Sequence, residues 1–245
     1  MKFLVYNIAY GTGAPRNRLD QVFGLHRYLH TENRPLERII DCIEKCSPDV
    51  SGLLEVDHGS FRTGYQDQGE LIARSLHQYA CGAVKSAPGS ISRKVPILRR
   101  QSNLFLTQER QLPCAFHYLT AGMKRLALEI EVDGVRFFLL HLSLRKSVRQ
   151  RQLKTLSALL QGIKTLFLIG GDFNAFGGSG ELNDFMNSLG LASANRENSP
   201  TFPSWHPEKQ LDYILYSREI EPLRFQVGPT RASDHLPVML EFKVR

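Results

Sequence analysis

The chain has 245 residues, a formal net charge of +7, and 42% hydrophobic and 22% charged residues, which is ordinary for a globular protein. No apolar run approaches the ~18 residues of a membrane-spanning helix, and a strand pattern starts directly after Met1. We therefore expect neither a transmembrane segment nor a signal peptide, and a cytoplasmic location. The positive charge favours an anionic partner, although no zinc finger, aromatic-basic RNA motif or long basic tail is present.

The four cysteines are scattered, and none forms a C-x-x-C pair. Cys42 and Cys46 are four residues apart on a predicted helix and so share a face, a spacing that helical metal pairs also use. No His or Cys cluster accompanies them. We therefore expect buried free thiols rather than a metal site.

Hydrophobic periodicity predicts the elements of the first half of the chain. In chain order these are a strand at 3–7, a short helix within 16–34, a helix at 35–46, a strand at 50–55, a helix at 67–76, and strands at 79–84, 103–107 and 112–119. Pro35 is predicted to stand at the first position of its helix, where its missing N–H is harmless. A Pro/Gly/Ser/Arg-rich stretch up to Arg100 is predicted to be a mobile, basic loop.

The second half of the chain continues the same alternation. It is predicted to contain strands at 125–132 and 135–141, a helix at 147–160, a strand at 166–171, a helix at 181–189, and strands at 211–216, 223–227 and 237–244. Asp133–Gly134 predicts a type I′ hairpin turn, and Gly190 predicts the end of a helix. No repeat or interior linker interrupts the chain, so we expect a single domain over residues 1–245.

Polar side chains lie at or just beyond the ends of these apolar strands. They are Asn7, Glu55, His141, Asp172, Asn174, Asp212, Asp234 and His235. The clearest example is Gly171–Asp172–Phe173–Asn174, in which alternation points the side chains of Asp172 and Asn174 to the same side. Alone, Asp-x-Asn at a strand end is equally typical of an Asx turn. The full set suits a hard divalent cation and a phosphate ester, and it contains too few His and Cys residues for a closed zinc site.

Seven short motifs together resemble a known superfamily. They are Tyr6–Asn7, Leu54–Glu55–Val56–Asp57, Ser102–Asn103–Leu104–Phe105–Leu106, His141–Leu142–Ser143, Gly171–Asp172–Phe173–Asn174, Leu211–Asp212–Tyr213–Ile214 and Ser233–Asp234–His235. In this order, and spread over nearly the whole chain, they resemble the endonuclease/exonuclease/phosphatase superfamily. The resemblance implies an α/β (α+β) fold, a four-layer sandwich of two packed mixed β-sheets flanked by helices. It also implies a metal-dependent phosphoric ester hydrolase that uses Mg²⁺, with Mn²⁺ as an alternative.

The resemblance also implies roles at the matching positions around a metal and a water molecule. Glu55 is the expected principal metal ligand, with Asn7 and Asp234 completing the site. Asp172 is expected to orient and deprotonate the attacking water. Asn174 is expected to hold that water or a phosphate oxygen.

The remaining implied roles concern the phosphate. His141 and His235 are expected to contact it and stabilise the charge of the transition state, and Asp212 is expected to pair with His235. Four basic residues are candidates for holding a second anionic group of the substrate: Arg62, Lys124, Arg125 and Arg145. Solvated surface charge is an equally good interpretation of these four.

Departures from the superfamily pattern bear on the substrate. Apurinic endonucleases carry an acidic residue where this chain has Ala9, so abasic-site repair is disfavoured. A small phosphorylated molecule or a lipid headgroup is favoured over DNA or RNA, because insertions that grip a duplex are not evident. Endo- or exonuclease activity remains an alternative, and so does a non-catalytic phosphate-binding module.

Overall fold

The computed structural model describes residues 1–17, 19–20, 31, 33–85, 98–122, 126–163 and 166–244. These residues contain twelve β-strands and four α-helices. The strands are β1 (Lys2–Asn7), β2 (Val50–Asp57), β3 (Tyr79–Val84), β4 (Gln101–Thr107), β5 (Ala115–Tyr118), β6 (Leu126–Val132), β7 (Val135–His141), β8 (Phe167–Asp172), β9 (Ala192–Ser193), β10 (Asp212–Tyr216), β11 (Ile220–Val227) and β12 (Val238–Val244). The helices are α1 (Asn33–Cys46), α2 (Gln68–Ser75), α3 (Lys146–Leu160) and α4 (Asn183–Leu189).

The strands form two six-stranded mixed sheets. The first sheet has the order β11-β12-β1-β2-β4-β3, and the second has the order β5-β6-β7-β8-β10-β9. Each sheet contains one parallel pair, β1 with β2 and β7 with β8, and its other neighbours are antiparallel. The two parallel pairs matter for function because the carboxyl ends of parallel strands meet at one edge of a sheet.

Three apolar clusters hold the layers together. The cluster between the sheets takes one face of each, with Phe3 and Val5 from β1 facing Leu139 of β7 and Leu168 of β8. A second cluster joins the outer face of the second sheet to α3 and α4. A third joins the outer face of the first sheet to α1 and α2. The four-layer sandwich implied by the resemblance is thereby confirmed.

The helices cover the outer faces of the two sheets. The longest of the four is α3, with 15 residues. Within the described ranges, no helix is both long and apolar enough to span a bilayer.

Several predicted boundaries needed correction. β2 runs two residues past Glu55 to Asp57, and α1 starts at Asn33, before Pro35. The predicted helix at 181–189 begins as a 3₁₀ turn, and α4 proper starts at Asn183. β9 was not predicted, because two residues carry no periodicity. The short helix predicted within 16–34 and most of the predicted loop before Arg100 lie outside the described residues.

The two predicted turns are confirmed by backbone geometry. Asp133 and Gly134 both have positive φ, 50° and 74°, as a type I′ turn requires. Gly190 caps α4 with φ 65° in the left-handed region.

Close packing between the sheets depends on a glycine in β8. A Cβ built on Gly170 would lie 2.4 Å from Val5 Cγ2 and 2.7 Å from the ring of Phe3, both in the other sheet. Any side chain at this position would therefore push β8 away from β1. The two sheets can approach here only because position 170 carries no side chain.

Gly170→Val is expected to lower the free energy of unfolding by about 1–3 kcal/mol, since overpacking a dense core forces strands apart. Gly162→Ala is the control, because a Cβ there meets nothing within 4 Å. Urea denaturation of both variants checks this. Equal stability of Gly170→Val and wild type would show that the sheets are not packed as described.

Candidate active site

Three polar residues lie side by side at one edge of the second sheet. His141 is the last residue of β7 and pairs with Asp172, the last residue of β8. Asp172 pairs in turn with Asp212, the first residue of β10. His141 lies two residues after Leu139 and Asp172 four residues after Leu168, so each shares a face of its strand with a residue of the cluster between the sheets. The three side chains therefore face the first sheet.

The Asp172 carboxylate lies at the centre of the site, with 2% of the residue exposed. Its Oδ2 accepts a hydrogen bond from Asn7 Nδ2 at 3.2 Å, across the gap between the sheets. The same oxygen lies 3.2 Å from His141 Nε2 and 3.8 Å from His235 Nε2. Polar groups from both sheets thus converge on one carboxylate oxygen.

The two alternatives for the Asp172–Asn174 sequence turn out to be compatible. Asp172 Oδ1 accepts from the backbone N–H of Asn174 at 2.9 Å, which closes an Asx turn. Asn174 has a left-handed φ of 51°, and its Nδ2 donates to the carbonyl of Leu142 at 2.9 Å. One carboxylate oxygen therefore fixes the turn, and the other faces the polar cluster.

Asp212 and His235 form the pair that the family resemblance implied. His235 Nδ1 lies 2.8 Å from Asp212 Oδ2, which also accepts from Thr201 Oγ1 at 2.6 Å. Burial raises the pKa of Asp212, and the charge of Asp172 raises it further, while His235 opposes the rise. Burial alone would lower the pKa of His235, but the carboxylates of Asp212, Asp172 and Asp234 raise it to about 10. These carboxylates favour the imidazolium form of His235.

The segment before His235 is fastened to β1. Ser233 Oγ donates to the backbone carbonyl of Asn7 at 2.7 Å and lies 3.2 Å from Asp234 Oδ1. Burial raises the pKa of Asp234, and the nearby carboxylates of Glu55 and Asp172 raise it further. This mutual repulsion shows that the three carboxylates share one electrostatic environment.

Glu55 reaches the site through a bulge in β2. The pairing register with β4 shifts between Leu53 and Val56, and Glu55 has a left-handed φ of 55°. Leu53 and Val56 both pack on the outer helical side, so the bulge reverses the alternation of the strand. The backbone N–H of Glu55 donates a hydrogen bond to Asn103 Oδ1 at 3.3 Å. The bulge therefore directs the Glu55 carboxylate toward the gap between the sheets, whereas strict alternation would point it away.

Lys85 is a site residue that sequence reasoning missed. Its Nζ lies 3.6 Å from Glu55 Oε1, 3.4 Å from His141 Nδ1 and 3.4 Å from the hydroxyl of Tyr10. The residue is 4% exposed, which is rare for lysine unless it is paired.

A signal for Lys85 was present in the sequence. Cys81 and Ala83 of β3 pack against the cluster between the sheets, and Lys85 continues their alternation one step past the strand end. The predicted strand ends at residue 84, so Lys85 falls in the predicted basic loop.

The structure gives Arg62 a different position from the one predicted. Instead of reaching out to a substrate, it is 1% exposed, and its Nε donates to the buried carboxylate of Asp57 at 3.0 Å. Its guanidinium lies 4.2 Å from the ring centroid of Tyr10, a cation–π distance. Tyr10 itself has a left-handed φ of 56°. Arg62 therefore supports the turn that brings the Tyr10 hydroxyl to Lys85.

The other predicted phosphate contacts have different outcomes. Arg145 is exposed at the N-terminal end of α3, four residues beyond His141, and its role remains a prediction. Lys124 and Arg125 lie outside the described residues.

One group of side chains in the described part of the chain could hold a metal ion by geometry alone. The ligand atoms of Asp172, Asp212 and His235 lie within 4.8 Å of one another, and all three residues are buried. No described residue donates to Asp212 Oδ1, although this oxygen is buried. This oxygen is therefore available to a ligand without the loss of a hydrogen bond from the described residues.

A sequence profile of the Endonuclease/Exonuclease/phosphatase family matches residues 4–235. The chain belongs to this family. Family members are phosphoesterases, generally metal-dependent, and this chain is accordingly a phosphoric ester hydrolase. The family membership that the seven short motifs indicated is thereby confirmed. A search of curated proteins found no match.

Solved structures from the same family share the fold. The endonuclease/exonuclease/phosphatase of Beutenbergia cavernae DSM 12333 is 18% identical, with a TM-score of 0.73 over 100% of this chain and 71% of the other. The human Nocturnin catalytic domain with bound sulfate is 24% identical, with a TM-score of 0.71 over 100% and 93%. The mannosyl-6-phosphatase Bt3783 of Bacteroides thetaiotaomicron is 15% identical, with a TM-score of 0.71 over 99% of both chains.

The His235 pKa can be measured by NMR titration of the imidazole in metal-free protein. We expect a midpoint near pH 10 in the wild type, because three carboxylates favour the protonated ring. Asp212→Asn removes the nearest of them and is expected to lower the midpoint by at least about one pH unit. A wild-type midpoint near the ordinary ~6.5, or no change in the variant, would contradict this electrostatic account.

Proposed function

We propose that the protein hydrolyses phosphodiester or phosphomonoester bonds by direct attack of water, with Mg²⁺ as cofactor and Mn²⁺ as a substitute. The proposed substrate is a small phosphorylated molecule or a lipid headgroup. The observation that carries the proposal is the Asp172 carboxylate, which polar groups from both sheets surround at the shared edge. In a family of phosphoesterases, this carboxylate is the candidate general base.

The geometry of Asp172 suits the activation of water. The Asx turn to Asn174 holds Oδ1, so the carboxylate has a fixed orientation. Oδ2 faces the cluster and can accept a proton from a water molecule placed there. Asn7 Nδ2 and His141 Nε2 lie 3.2 Å from Oδ2 and keep it in place. Asn174, whose Nδ2 donates to the carbonyl of Leu142, is proposed to orient the same water or a phosphate oxygen.

The two histidines suit the phosphate. His235 is protonated at neutral pH, and its Nε2 is directed toward Asp172 and the polar cluster. Asp212 holds the ring through Nδ1, which leaves Nε2–H to donate to a phosphate oxygen. His141 lies on the other side of Asp172, so the two rings can contact different oxygens. Donors fixed before reaction stabilise developing negative charge at little reorganisation cost.

The donor set fits a hard divalent cation. Glu55, Asp234 and the amide oxygen of Asn7 would supply oxygen ligands, and burial together with the nearby carboxylates raises the pKa of Asp234, a cost that a bound cation would relieve. When bound, the ion would polarise the phosphoryl group and neutralise its charge.

The alternative metal group of Asp172, Asp212 and His235 is less suitable. His235 Nδ1 is already bonded to Asp212, and a protonated imidazole has no free lone pair for a metal. We therefore assign Asp212 and His235 to phosphate binding and Glu55, Asn7 and Asp234 to the metal.

Hydrolysis of bis(p-nitrophenyl) phosphate tests the proposed activity. We expect turnover with Mg²⁺ or Mn²⁺, none in EDTA, and recovery when metal is added back. Asp172→Asn and Glu55→Ala are expected to lower kcat by about 10²–10⁴-fold, because they remove the base and the principal metal ligand. Glu131→Gln is the matched control, an exposed carboxylate near the hairpin turn between β6 and β7. Its activity should be that of the wild type.

Two results would reject the proposal. Full activity in EDTA would show that no metal is required. An unimpaired Asp172→Asn enzyme would show that Asp172 is not the general base. If folded protein turned over no phosphoester yet bound phosphate, the non-catalytic binding module would be the better account.

Lys85 is proposed to hold a phosphate oxygen between Glu55 and His141. Lys85→Met is expected to weaken competitive inhibition by inorganic phosphate by about 10- to 100-fold, since a charged hydrogen bond is lost. Lys154→Met, an exposed lysine further along α3, is the control and should not change inhibition. Lys85→Arg should retain part of the affinity. Unchanged inhibition in Lys85→Met would limit this lysine to a structural role.

The substrate class is proposed from size and charge. The mannosyl-6-phosphatase Bt3783 aligns over 99% of both chains, so a protein of this extent can act on a small phosphate ester. A panel of sugar phosphates, inositol phosphates, phospholipids, plasmid DNA and RNA separates the alternatives. Preference for a small ester or a headgroup is expected, whereas preferential nicking of the plasmid would support the nuclease alternative.

A further inference from the structure

Cys81 and Cys114 lie together where the open edges of the two sheets meet. β3, which contains Cys81, is the outermost strand of the first sheet, and β5, which Cys114 directly precedes, is the outermost strand of the second. β3 packs against β6, the neighbour of β5. Both cysteines border the same apolar cluster between the sheets.

The side chains of Cys81 and Cys114 interact, because a hydrogen bond between them lowers the pKa of Cys81 and raises the pKa of Cys114. Both residues are partly exposed, and so is Cys46, which corrects the expectation that it is buried; of the four cysteines only Cys42 is buried. A small oxidant in solution can therefore reach two neighbouring thiols at the same edge of the sandwich.

We propose that Cys81 and Cys114 are a site of reversible oxidation, at which a low-molecular-weight disulfide converts the two thiols into a disulfide bond between the two sheets. The proposal does not depend on the phosphoesterase activity. The bond would join two edge strands that otherwise have one neighbour each in their own sheets.

The reaction is ordinary thiol–disulfide exchange. The Cys81 thiolate attacks one sulfur of the reagent disulfide, which forms a mixed disulfide and releases one thiol. Cys114 then loses its proton and attacks the Cys81 sulfur, which releases the second thiol. Two electrons pass from the protein to the reagent, and the products are one protein disulfide and two small thiols. The hydrogen bond from Cys114 lowers the pKa of Cys81, although burial opposes this, and so favours Cys81 as the attacking thiolate.

The chain contains an internal control for this chemistry. Cys42 and Cys46 are also hydrogen-bonded to each other, but they lie one turn apart on α1. Residues four apart on a helix have Cβ atoms about 5–6 Å apart, whereas a disulfide requires about 3.5–4.5 Å. This pair cannot be joined while α1 remains helical. Contact between thiols alone therefore does not decide which pair is oxidised.

The oxidised bond should also stabilise the fold. It would close a loop of roughly 30 residues, which restricts the unfolded chain. We expect Tm to rise by about 5–15 °C on oxidation and to return to its original value on reduction.

The test is to incubate reduced full-length protein with glutathione disulfide and map its peptides without reduction. We expect a cross-linked peptide pair containing Cys81 and Cys114, the loss of two of the four thiols, and the rise in Tm. The variant with both Cys42→Ser and Cys46→Ser should behave like the wild type. Cys81→Ser and Cys114→Ala should each abolish the cross-link and the rise in Tm.

Three results would overturn the proposal: four remaining thiols after oxidation, a mixed disulfide that persists at Cys81, or a link between Cys42 and Cys46. Each is read from the wild-type peptide map, so the conclusion does not depend on the folding of any variant.

Discussion

The Asp172 carboxylate is almost fully buried, and burying such a group is costly unless polar partners surround it. Those partners come from both sheets: Asn7 at the end of β1 and His141 at the end of β7. They can reach one carboxylate only where the sheets are in close contact. Gly170 permits this contact two residues before Asp172, by leaving room for Phe3 and Val5. Close packing of the sheets is therefore also the condition for assembly of the site. A substitution that separates the sheets should also move the partners of Asp172 apart.

Much of this arrangement could be predicted from the sequence, because the elements carry strong local signals. Strands such as 135–141 end at a polar residue after a run of apolar residues, and the turn at Asp133–Gly134 fixes the register of this hairpin. The ordered motifs then identified the family, and that resemblance supplied the Asp212–His235 pair, whose 2.8 Å contact the structure contains. Residues close in sequence, or matched to a family position, were within reach of pattern analysis.

The rest depended on tertiary contacts that no local pattern contains. Glu55 faces the gap only because a bulge reverses the alternation of β2. Arg62 is a cation, and cations are usually exposed, but a buried partner, Asp57, allows it to stay inside. Alternation along β3 indicates that Lys85 faces inward, but its partner Tyr10 is distant in sequence, so no local pattern reveals this contact. The departures from prediction cluster at the site, where left-handed backbone and buried charge are maintained by surrounding structure.

The central claim is a division of roles: Glu55 holds the metal and Asp172 activates the water. Calorimetric titration of Mg²⁺ or Mn²⁺ into the wild type, Glu55→Ala and Asp172→Asn tests this division most directly. The account predicts that metal binding is lost in Glu55→Ala but remains within about threefold of wild type in Asp172→Asn, which is inactive all the same. Loss of metal binding in Asp172→Asn with full binding in Glu55→Ala would contradict it and would assign the metal to Asp172, Asp212 and His235.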